Sequence, residues 1–457
     1  MHIDVLVAEI GSTTTVVNAF QNVGGSAASG SPYPLFIGQG QSATTVLQGN
    51  VIIGLKGAVE DLKQKLDVSE ITWDEMFATS SAAGGLRMSV HGLVYDMTVR
   101  AAKEAALGAG AIVKLVTAGK MRKSDLQKVK DLNPNIILIA GGVDYGERET
   151  ALHNFEKIAS LSLNVPVIYA GNTENVEEIS DLAKEYSVKL YIVDNVYPKV
   201  DTLNVEPARR IIQQVFEEHI IHAPGMSHVH DMVTGPILPT PGAVMEAAIL
   251  LKEEIGDLLV FDVGGATTDV HSVTVDSEEI SRILISPEPA AKRTVEGDLG
   301  VYINLKHIVE KIGMQELIKE FPDAAELIAN AKPIPVSFRE KEFIERLTKE
   351  AVLTALERHA GKLRYIYSMP GKKSIAEGKD LTNVKFIIGT GGALTRLPKR
   401  IDILKLIGNH GKGEELFPKN DTNILIDNHY IMASLGVLSK KYPQAAISLL
   451  KKSLGIL

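Results

Sequence analysis

The sequence contains no cysteine among its 457 residues. The chain can therefore form no disulfide bond and offers no thiolate nucleophile. It also cannot bind zinc or an iron–sulfur cluster through sulfur ligands. Several classes of redox enzyme and metalloenzyme are excluded by this absence alone.

Long apolar runs are also missing. No run reaches the roughly 20 residues that a membrane-spanning helix requires, and the first residues, MHID, lack the basic segment and cleavage site of a secretory signal. We therefore expect a cytoplasmic protein with no membrane partner.

The chain has no excess of positive charge. Its 48 Lys and Arg residues stand against 56 Asp and Glu residues, which gives a net charge of −8. Proteins that bind a phosphate backbone do so through clustered basic residues that release counterions. We therefore expect no nucleic-acid partner.

One strand–turn–strand pattern occurs twice, about half the chain apart. Residues 3–9 are apolar and lead into a Gly/Ser/Thr turn, after which residues 16–20 return to β-branched and aromatic side chains. The same order recurs over residues 258–275. Such runs, separated by small polar residues, predict strands joined by turns. The repetition suggests two homologous lobes.

Strand and helix patterns alternate between these two copies. Strands are predicted at 112–117, 135–140, 165–170 and 189–193, and helices near 124–131, 150–162 and 176–186. This alternation predicts parallel βαβ units with right-handed crossovers. We expect an inserted, doubly wound α/β subdomain here, at about residues 118–205.

The second half of the chain is richer in helical periodicity. Helices are predicted at 322–331 and 340–363 and over most of 429–457, and a further strand at 385–388. At this length two or three domains are expected, because single cores stop growing near roughly 250–300 residues. We divide the chain into a first lobe (1–117), the inserted subdomain (118–205), a second lobe with a helical part (206–425) and C-terminal helices that pack back towards the first lobe (426–457).

Three Gly/Thr turns follow predicted strands and carry the candidate chemistry. Small residues let backbone amides approach phosphate oxygens, while hydroxyl groups donate further hydrogen bonds. The first turn offers Gly11, Ser12, Thr13 and Thr14 for this purpose. The second turn offers Gly264, Gly265, Ala266, Thr267 and Thr268.

The second turn also follows a carboxylate, Asp262, that could hold the hydration shell of Mg²⁺. The third turn, with Gly389, Gly391 and Gly392, precedes a predicted helix, where close backbone approach suits adenine and ribose. Each turn taken alone favours a hairpin or a tight connection between a strand and a helix. The three in this order favour a nucleotide clamp.

This order of turns resembles that of the superfamily of actin, DnaK-type chaperones and sugar kinases. Within that superfamily, four stretches resemble the MutL/GlmL family over nearly the whole chain. They are EIGSTT at 9–14, PTPGAVM at 239–245, FDVGGATTD at 261–269 and RTVEGDLG at 293–300. The family is distinct from the mismatch-repair protein that shares the name MutL.

The resemblance implies an α/β protein with the two-lobed actin-like ATPase fold, which is of the ribonuclease H-like type. It also implies ATP or ADP with Mg²⁺ as ligands and adenosylcobalamin-dependent mutase subunits as partners, such as those of glutamate mutase or ornithine aminomutase. The chain would be a slow ATPase that reactivates such a mutase. The inserted subdomain is our candidate partner surface.

Glu9 stands where many members of the superfamily have Asp. Its longer carboxylate could orient a water molecule or contact Mg²⁺ through one. We therefore assign the metal-linked catalytic role to Asp262 first, with Mg²⁺ held through water, and a catalytic role to Glu9 second.

Two other functions share the same clamp. A small-molecule kinase would transfer the phosphoryl group to a sugar or an acid through a positioned acid/base, and a filament protein would need surfaces for self-association. An activator of a radical dehydratase is excluded, since it needs Cys ligands for its iron–sulfur cluster.

Three further features have both a functional and a structural interpretation. His219, His222, His228 and His230 with Asp231 could bind a metal but lack a known zinc spacing, which favours a helix end and polar loop. Glu296 and Asp298 could face the nucleotide cleft or form a solvated turn. Gly141 and Gly142 end a strand where open α/β sheets bind ligands, but a lone Gly–Gly turn favours a structural role.

Overall fold

The computed structural model describes residues 1–11, 13–24, 33–45, 49–81, 86–220, 229, 232–368, 371–411 and 413–456. Ser12, His222, His228, His230 and Asp231 lie outside these residues, as does the side chain of His219.

The first lobe begins with an antiparallel meander followed by a crossover helix. Its elements are β1 (His2–Ile10), β2 (Thr14–Gln21), β3 (Leu35–Ala43), α1 (Val51–Leu66) and β4 (Thr72–Ser80). β1 pairs antiparallel with β2 and parallel with β4. The predicted turn after β1 therefore lies between two paired strands at the end of the sheet.

The inserted subdomain is a parallel sheet with helices between its strands. Its elements are β5 (Arg87–Gly92), a π-helical turn (Tyr95–Val99), α2 (Arg100–Gly108), β6 (Ile112–Ala118), α3 (Lys123–Leu132), β7 (Ile136–Ile139), α4 (Glu149–Ala159), β8 (Val167–Tyr169), a 3₁₀ turn (Thr173–Asn175), α5 (Val176–Glu185) and β9 (Leu190–Ile192). The strand order is β6-β5-β7-β8-β9. The sheet thus begins at Arg87, and the expected boundary at residue 118 falls at the end of its second strand. β5 is short and contains Ser89 and His91, so its apolar pattern is weak.

The chain then returns to the first lobe. It forms α6 (Glu206–Ile220), β10 (Ile237–Pro239) and α7 (Thr240–Ile255). β10 pairs parallel with β4, which completes a first sheet of order β10-β4-β1-β2-β3. The second lobe was expected to begin at residue 206, but its first strand starts only after α7. Three residues of β10 are too few for a recognisable sequence pattern.

The second lobe repeats the meander and adds a helical layer. Its elements are β11 (Leu258–Val263), β12 (Thr268–Val273), α8 (Glu278–Ser281), β13 (Ala291–Glu296), α9 (Leu305–Ile312), α10 (Met314–Glu320), α11 (Ala324–Ala329), α12 (Phe338–His359), β14 (Lys362–Ser368), β15 (Gly371–Glu377), β16 (Phe386–Thr390), α13 (Gly391–Arg396), α14 (Arg400–Lys405), a 3₁₀ turn (Leu406–Asn409), β17 (Asn423–Ile426), α15 (Met432–Leu438) and α16 (Pro443–Leu454). The sheet order is β13-β12-β11-β16-β17.

The two lobe sheets have the same topology. In each, the first strand pairs antiparallel with the second and the second with the third. In each, the first strand also pairs parallel with the fourth, and the fourth with the fifth. The predicted duplication is confirmed, and it places the turn after β1 and the turn after β11 at equivalent positions.

The predicted helix at 340–363 extends too far. A capping box of Ser337 and Glu340 starts α12, which ends at His359. The next residues turn into the β14–β15 hairpin, where a Cβ on Gly361 would lie 2.7 Å from the backbone of Gly378. This close backbone approach ends the helix, although the apolar spacing of the sequence continues.

A shared core joins the lobes. One buried cluster contains Val7 of β1 and Val260 of β11 together with side chains of α7, α15 and α16. α15 crosses α7 so closely that a Cβ on Gly436 would overlap the carbonyl group of Ala243. The C-terminal helices therefore pack against both lobes.

Candidate functional site

The turns after β1 and β11 have the same backbone hydrogen bond. The amide of Gly11 donates to the carbonyl oxygen of Thr14 over 2.9 Å, and the amide of Gly264 donates to the carbonyl oxygen of Thr267 over 2.9 Å. The first turn requires glycine, because a Cβ on Gly11 would lie 2.7 Å from the Thr14 carbonyl oxygen. The duplicated lobes thus present two equivalent tight turns.

The second turn has its carbonyl groups occupied and its amides unpaired. The carbonyl oxygens of Gly264, Gly265 and Ala266 accept hydrogen bonds of 2.7–3.2 Å from residues 301–304. Within the described residues, the amides of Gly265, Ala266 and Thr267 donate to no protein acceptor. Successive unpaired amides of this kind form a concavity that binds anions.

A cavity of about 310 Å³ lies between the two turns, within the range of small-molecule sites. The predicted residues that line it are Glu9, Gly11, Thr13, Thr14, Asp262, Gly264, Gly265, Ala266 and Thr267. Its other walls include Ser80, Ser81, Gly110, Ile112, Pro239, Thr240, Pro241, Asp269, Arg293 and Tyr430. The two turns, 250 residues apart in the sequence, therefore face one space.

Among the described residues predicted for the site, Thr268, Gly389, Gly391 and Gly392 do not line this cavity. The first two lie in strands. Thr268 is buried, and its hydroxyl group donates to the carbonyl oxygen of Leu299 over 2.7 Å. Gly389 lies inside β16, where a Cβ would press on the side chains of Leu404 and Ile426. Both residues shape the sheet beneath the cavity instead.

The third turn approaches Asp262 directly. Gly391 has a φ of +81°, and a Cβ there would overlap Oδ1 of Asp262 and lie 2.6 Å from the carbonyl oxygen of Val263. Only glycine combines this backbone conformation with this close approach. Gly391 therefore keeps the start of α13 against the carboxylate of the second turn.

A second, smaller cavity adjoins the first. It is lined by Gly265, Val301, Pro333, Ile334, Pro335, Lys341, Ile344, Gly392, Ala393, Arg396 and Leu397. Its volume is about 100 Å³. Gly265 lines both cavities, so the second turn lies between them.

Glu9 is a buried carboxylate whose side chain is held by the C-terminal helix. The amide and hydroxyl group of Ser434 donate to its Oε1 over 3.1 and 2.6 Å, and Nδ2 of Asn18 donates over 3.2 Å. Burial raises the pKa of Glu9 to about 7, which the Ser434 hydrogen bond opposes and the charge of Asp427 reinforces. Glu9 can therefore gain or lose a proton near neutral pH.

Asp262 is half-buried in the cavity wall. Burial raises its pKa to about 7, and the negative charges of Asp269 and Glu9 add to this effect, while Arg293 opposes it. Two neighbouring carboxyl groups with raised pKa values would both ionise more readily beside a cation. Perturbed carboxyl groups of this kind cluster at functional sites.

Sequence reasoning missed the residues that support these carboxyl groups. Asp427 accepts from the amides of Ile431 and Met432 over 2.9 Å each and from the hydroxyl group of Thr390 over 3.0 Å. It thereby fixes the start of α15, whose Ser434 reaches Glu9. The only local signal is that Asp427 directly follows the apolar strand β17, while Asp262 stands near the end of the apolar strand β11.

The other sequence candidates lie elsewhere. Arg358 of α12 binds Glu296 over 2.6 Å and Asp298 over 2.7 Å, and neither carboxylate lines the two cavities. A Cβ on Gly142 would lie 2.5 Å from the carbonyl oxygen of Glu147. The Gly142 contact supports the structural interpretation of that turn, whereas Glu296 is a buried residue at the end of β13 and therefore belongs neither to the cleft nor to a solvated turn.

The described residues contain neither a group of metal-binding side chains nor a membrane-spanning helix. No three or more His, Asp or Glu side chains among them are grouped so that they could hold a metal ion. No helix among them is both long and apolar enough to cross a membrane.

The duplicated sheets, with a cavity between their equivalent turns, define the class of protein to which this chain belongs. The chain has the two-lobed α/β architecture of the actin-like ATPases, which confirms the predicted fold class. We base this assignment on the strand order. The family model "MutL protein" matches residues 5–454, so the chain belongs to the MutL family.

Comparison with known proteins gives one curated relative and several solved structures. Protein MutL of Clostridium tetanomorphum is 37% identical over 427 residues, which cover 90% of this chain and 92% of the relative. The nucleotide-free structure of acetone carboxylase has a TM-score of 0.38 and 11% identity, covering 96% of this chain and 70% of that chain. Ethanolamine utilization protein EutJ of Carboxydothermus hydrogenoformans has a TM-score of 0.28 and 11% identity, covering 97% and 89%.

Proposed function

We propose that this chain binds and slowly hydrolyses Mg-ATP between its lobes, as an accessory protein that reactivates an adenosylcobalamin-dependent mutase. The observation that carries the nucleotide site is the pair of equivalent turns facing one cavity beside Glu9 and Asp262. The mutase partner rests on membership of the MutL family.

The phosphates would lie between the two turns. The unpaired amides of Gly265, Ala266 and Thr267 suit phosphate oxygens, because fixed amide dipoles need no reorganisation to bind an anion. Thr13 and Thr14 of the first turn line the opposite wall. A ligand that touches both turns favours the state in which the lobes are close together.

The adenosine would lie in the smaller cavity. Its wall is formed by Gly392, Ala393 and Leu397 at the start of α13 and by the segment that contains Pro333 and Pro335. Such surfaces suit a flat apolar base, and Arg396 and Lys341 add polar groups at the rim. Because Gly265 borders both cavities, one nucleotide could extend from one to the other.

The larger cavity, between the two turns, is called the phosphate cavity below. The carboxylate oxygens beside it fit Mg²⁺, which prefers oxygen ligands and keeps several waters. Asp262 would hold the ion through water, and Mg²⁺ would neutralise charge on the phosphates. Glu9, held by Ser434 and Asn18, is positioned to orient or deprotonate a water molecule. Both carboxyl groups have pKa values near 7, so the presence of a cation would favour their ionised forms.

ATP hydrolysis would open the clamp and move the inserted subdomain, which is our candidate surface for the mutase. A radical mutase can be inactivated when its cofactor is damaged. An ATP-driven partner that separates the mutase subunits would allow cofactor exchange. Hydrolysis should therefore be slow in the isolated chain and faster when the partner is present.

The test is ADP release from the purified protein alone, with a cofactor-damaged mutase, and with a panel of small sugars and carboxylic acids. An Asp262→Asn variant serves as the matched control for contaminating ATPases. Stimulation by the mutase supports the proposal, as does ATP-dependent capture of mutase subunits from native cell extract. Stimulation by a metabolite, with a stoichiometric phosphorylated product, would instead identify a kinase.

A further inference from the structure

Arg293 of β13 is a fully buried cation at the wall of the phosphate cavity. Its Nε and Nη2 donate to Oδ1 of Asp269 over 2.9 and 2.6 Å. Its Nη1 donates to the carbonyl oxygens of Leu107 and Ala111 over 3.1 and 3.2 Å. One side chain in the second lobe therefore binds a cavity carboxylate and the inserted subdomain at once.

The two carbonyl groups belong to a turn (residues 107–112) that includes the last two residues of α2 and the first residue of β6. Gly110 and Ile112 of this turn also line the phosphate cavity. Gly110 has a φ of +95°, and a Cβ there would lie 2.7 Å from the amide nitrogen of Gly242 at the start of α7. The turn is thus enclosed between the first and second lobes, and it leads directly into a strand of the inserted sheet.

Burial makes these contacts a tight link. Arg293 is 1% exposed and Asp269 is 4% exposed, so water has little access to either group. A buried group that loses its partner has a large desolvation penalty. If Asp269 moved, Arg293 would therefore move with it. If Arg293 moved, the carbonyl groups of the turn would follow.

Asp269 also interacts with the candidate metal-linked carboxylate. Its charge raises the pKa of Asp262, and the charge of Arg293 lowers it. A magnesium–nucleotide beside Asp262 would change the field that acts on both members of the Asp269–Arg293 pair. A nucleotide bound in the cavity would thus act on the turn through this pair of charges.

We propose that Arg293 is a positioning residue that couples nucleotide occupancy of the cleft to the inserted subdomain through the carbonyl groups of Leu107 and Ala111. This inference rests on the proposed nucleotide site. It adds the element that would relay the nucleotide state to the partner surface.

A second buried arginine offers a matched control. Arg209 of α6 is 1% exposed and donates to the carbonyl oxygen of Ala291 over 3.0 Å. Ala291 lies two residues before Arg293 on the same strand. Arg209 does not line the phosphate cavity and makes no hydrogen bond to Asp269 among those of the described residues.

The experiment is hydrogen–deuterium exchange of peptides from residues 87–192 with and without saturating Mg-ADP. It compares the wild type with Arg293→Lys and Arg209→Lys. Lysine at 293 keeps the charge beside Asp269 but lacks the planar fork that also reaches the two carbonyl groups. At saturation, a change in nucleotide affinity does not affect the comparison.

We expect Mg-ADP to slow exchange in the inserted subdomain of the wild type and of Arg209→Lys. In Arg293→Lys this protection should fall by about fivefold or more, which is an ordinary size for a coupling effect. Protection of Arg293→Lys equal to that of the wild type would overturn the inference but not the nucleotide site. If calorimetry detected no Mg-ADP binding to the wild type, both proposals would fail.

If Arg293→Lys does not fold, Asp269→Asn provides the second variant. It keeps an oxygen acceptor for Arg293 and removes the charge that links the pair to Asp262. We expect it to reduce nucleotide-dependent protection of residues 87–192 in the same way. Unchanged protection in this variant would also contradict the inference.

Discussion

Ser434 donates both its amide and its hydroxyl group to Oε1 of Glu9, over 3.1 and 2.6 Å, across 425 residues of sequence. Asn18 donates to the same oxygen. Glu9 is therefore a fixed element of the cleft, and all three donors bind one of its two oxygens. A glutamine could keep these three hydrogen bonds through its carbonyl oxygen.

Glu9→Gln should make the protein more stable at alkaline pH. Burial raises the pKa of Glu9 from 4.5 to about 7, so between these values the folded state holds a proton that the unfolded state has lost. The wild-type free energy of unfolding therefore falls as pH rises through this window. Glutamine has no such penalty, and the free energy of unfolding of the variant should exceed that of the wild type by about 3 kcal/mol at pH 8 and by about 1 kcal/mol at pH 5.5.

Urea denaturation of both proteins at the two pH values measures this difference. Glu60→Gln is the control, because the Glu60 side chain is 57% exposed and its removal should cause no pH-dependent change. A Glu9→Gln variant that is less stable than the wild type at pH 8 would show that the carboxylate is needed in its ionised form for folding.

Asp262→Asn should lower ATP hydrolysis more than ADP binding. The carboxylate lies in the cavity wall and would act through Mg²⁺ where charge develops on the transferred phosphoryl group. We expect hydrolysis to fall by about 100-fold and ADP affinity by less than about fivefold. Calorimetry with ADP and a phosphate-release assay separate the two effects. Equal losses in both would indicate a role in folding alone.

Gly391→Ala should destabilise the protein by about 2 kcal/mol or more, because its backbone has a positive φ and its new methyl group would overlap Asp262. Gly392→Ala is the matched control. A Cβ there meets nothing within 4 Å, and alanine favours a helix by up to about 1 kcal/mol. Thermal denaturation of both variants checks the contrast, and equal stabilities would contradict the packing described for the third turn.

Binding of Mg-ADP should release protons near neutral pH. Glu9 and Asp262 both have pKa values of about 7, so at pH 7 each is partly protonated, and a nearby cation favours ionisation. Release should be greatest near pH 6.5–7 and should diminish by about pH 8.5, where both groups have already lost their protons. Calorimetry in two buffers of different ionisation enthalpy measures it. Equal heats in both buffers at pH 7 would show that neither carboxyl group senses the ligand.

The sequence was sufficient to predict those parts of the site that are local. The strands β1 and β11 are apolar runs that end in Gly/Thr turns, and a short window of sequence is enough to reveal such a pattern. The repeated pattern also predicted the duplicated lobes, because each copy of the pattern is a single hairpin of consecutive residues.

Features that depend on distant contacts were not predictable in this way. The roles of Ser434 and Arg293 follow from neighbours more than 180 residues away in the chain. Thr268 was predicted to bind the nucleotide, but its hydroxyl group donates to the carbonyl oxygen of Leu299. The subdomain boundary was missed because β5 contains buried polar side chains.

The central claim is that a nucleotide binds between the two equivalent turns, and the crystal structure of the protein with Mg-ADP tests it most directly. We predict phosphate density beside Gly11, Thr13 and residues 264–267, and base density beside Gly392. Nucleotide bound elsewhere, with the cleft between the turns empty, would contradict the account.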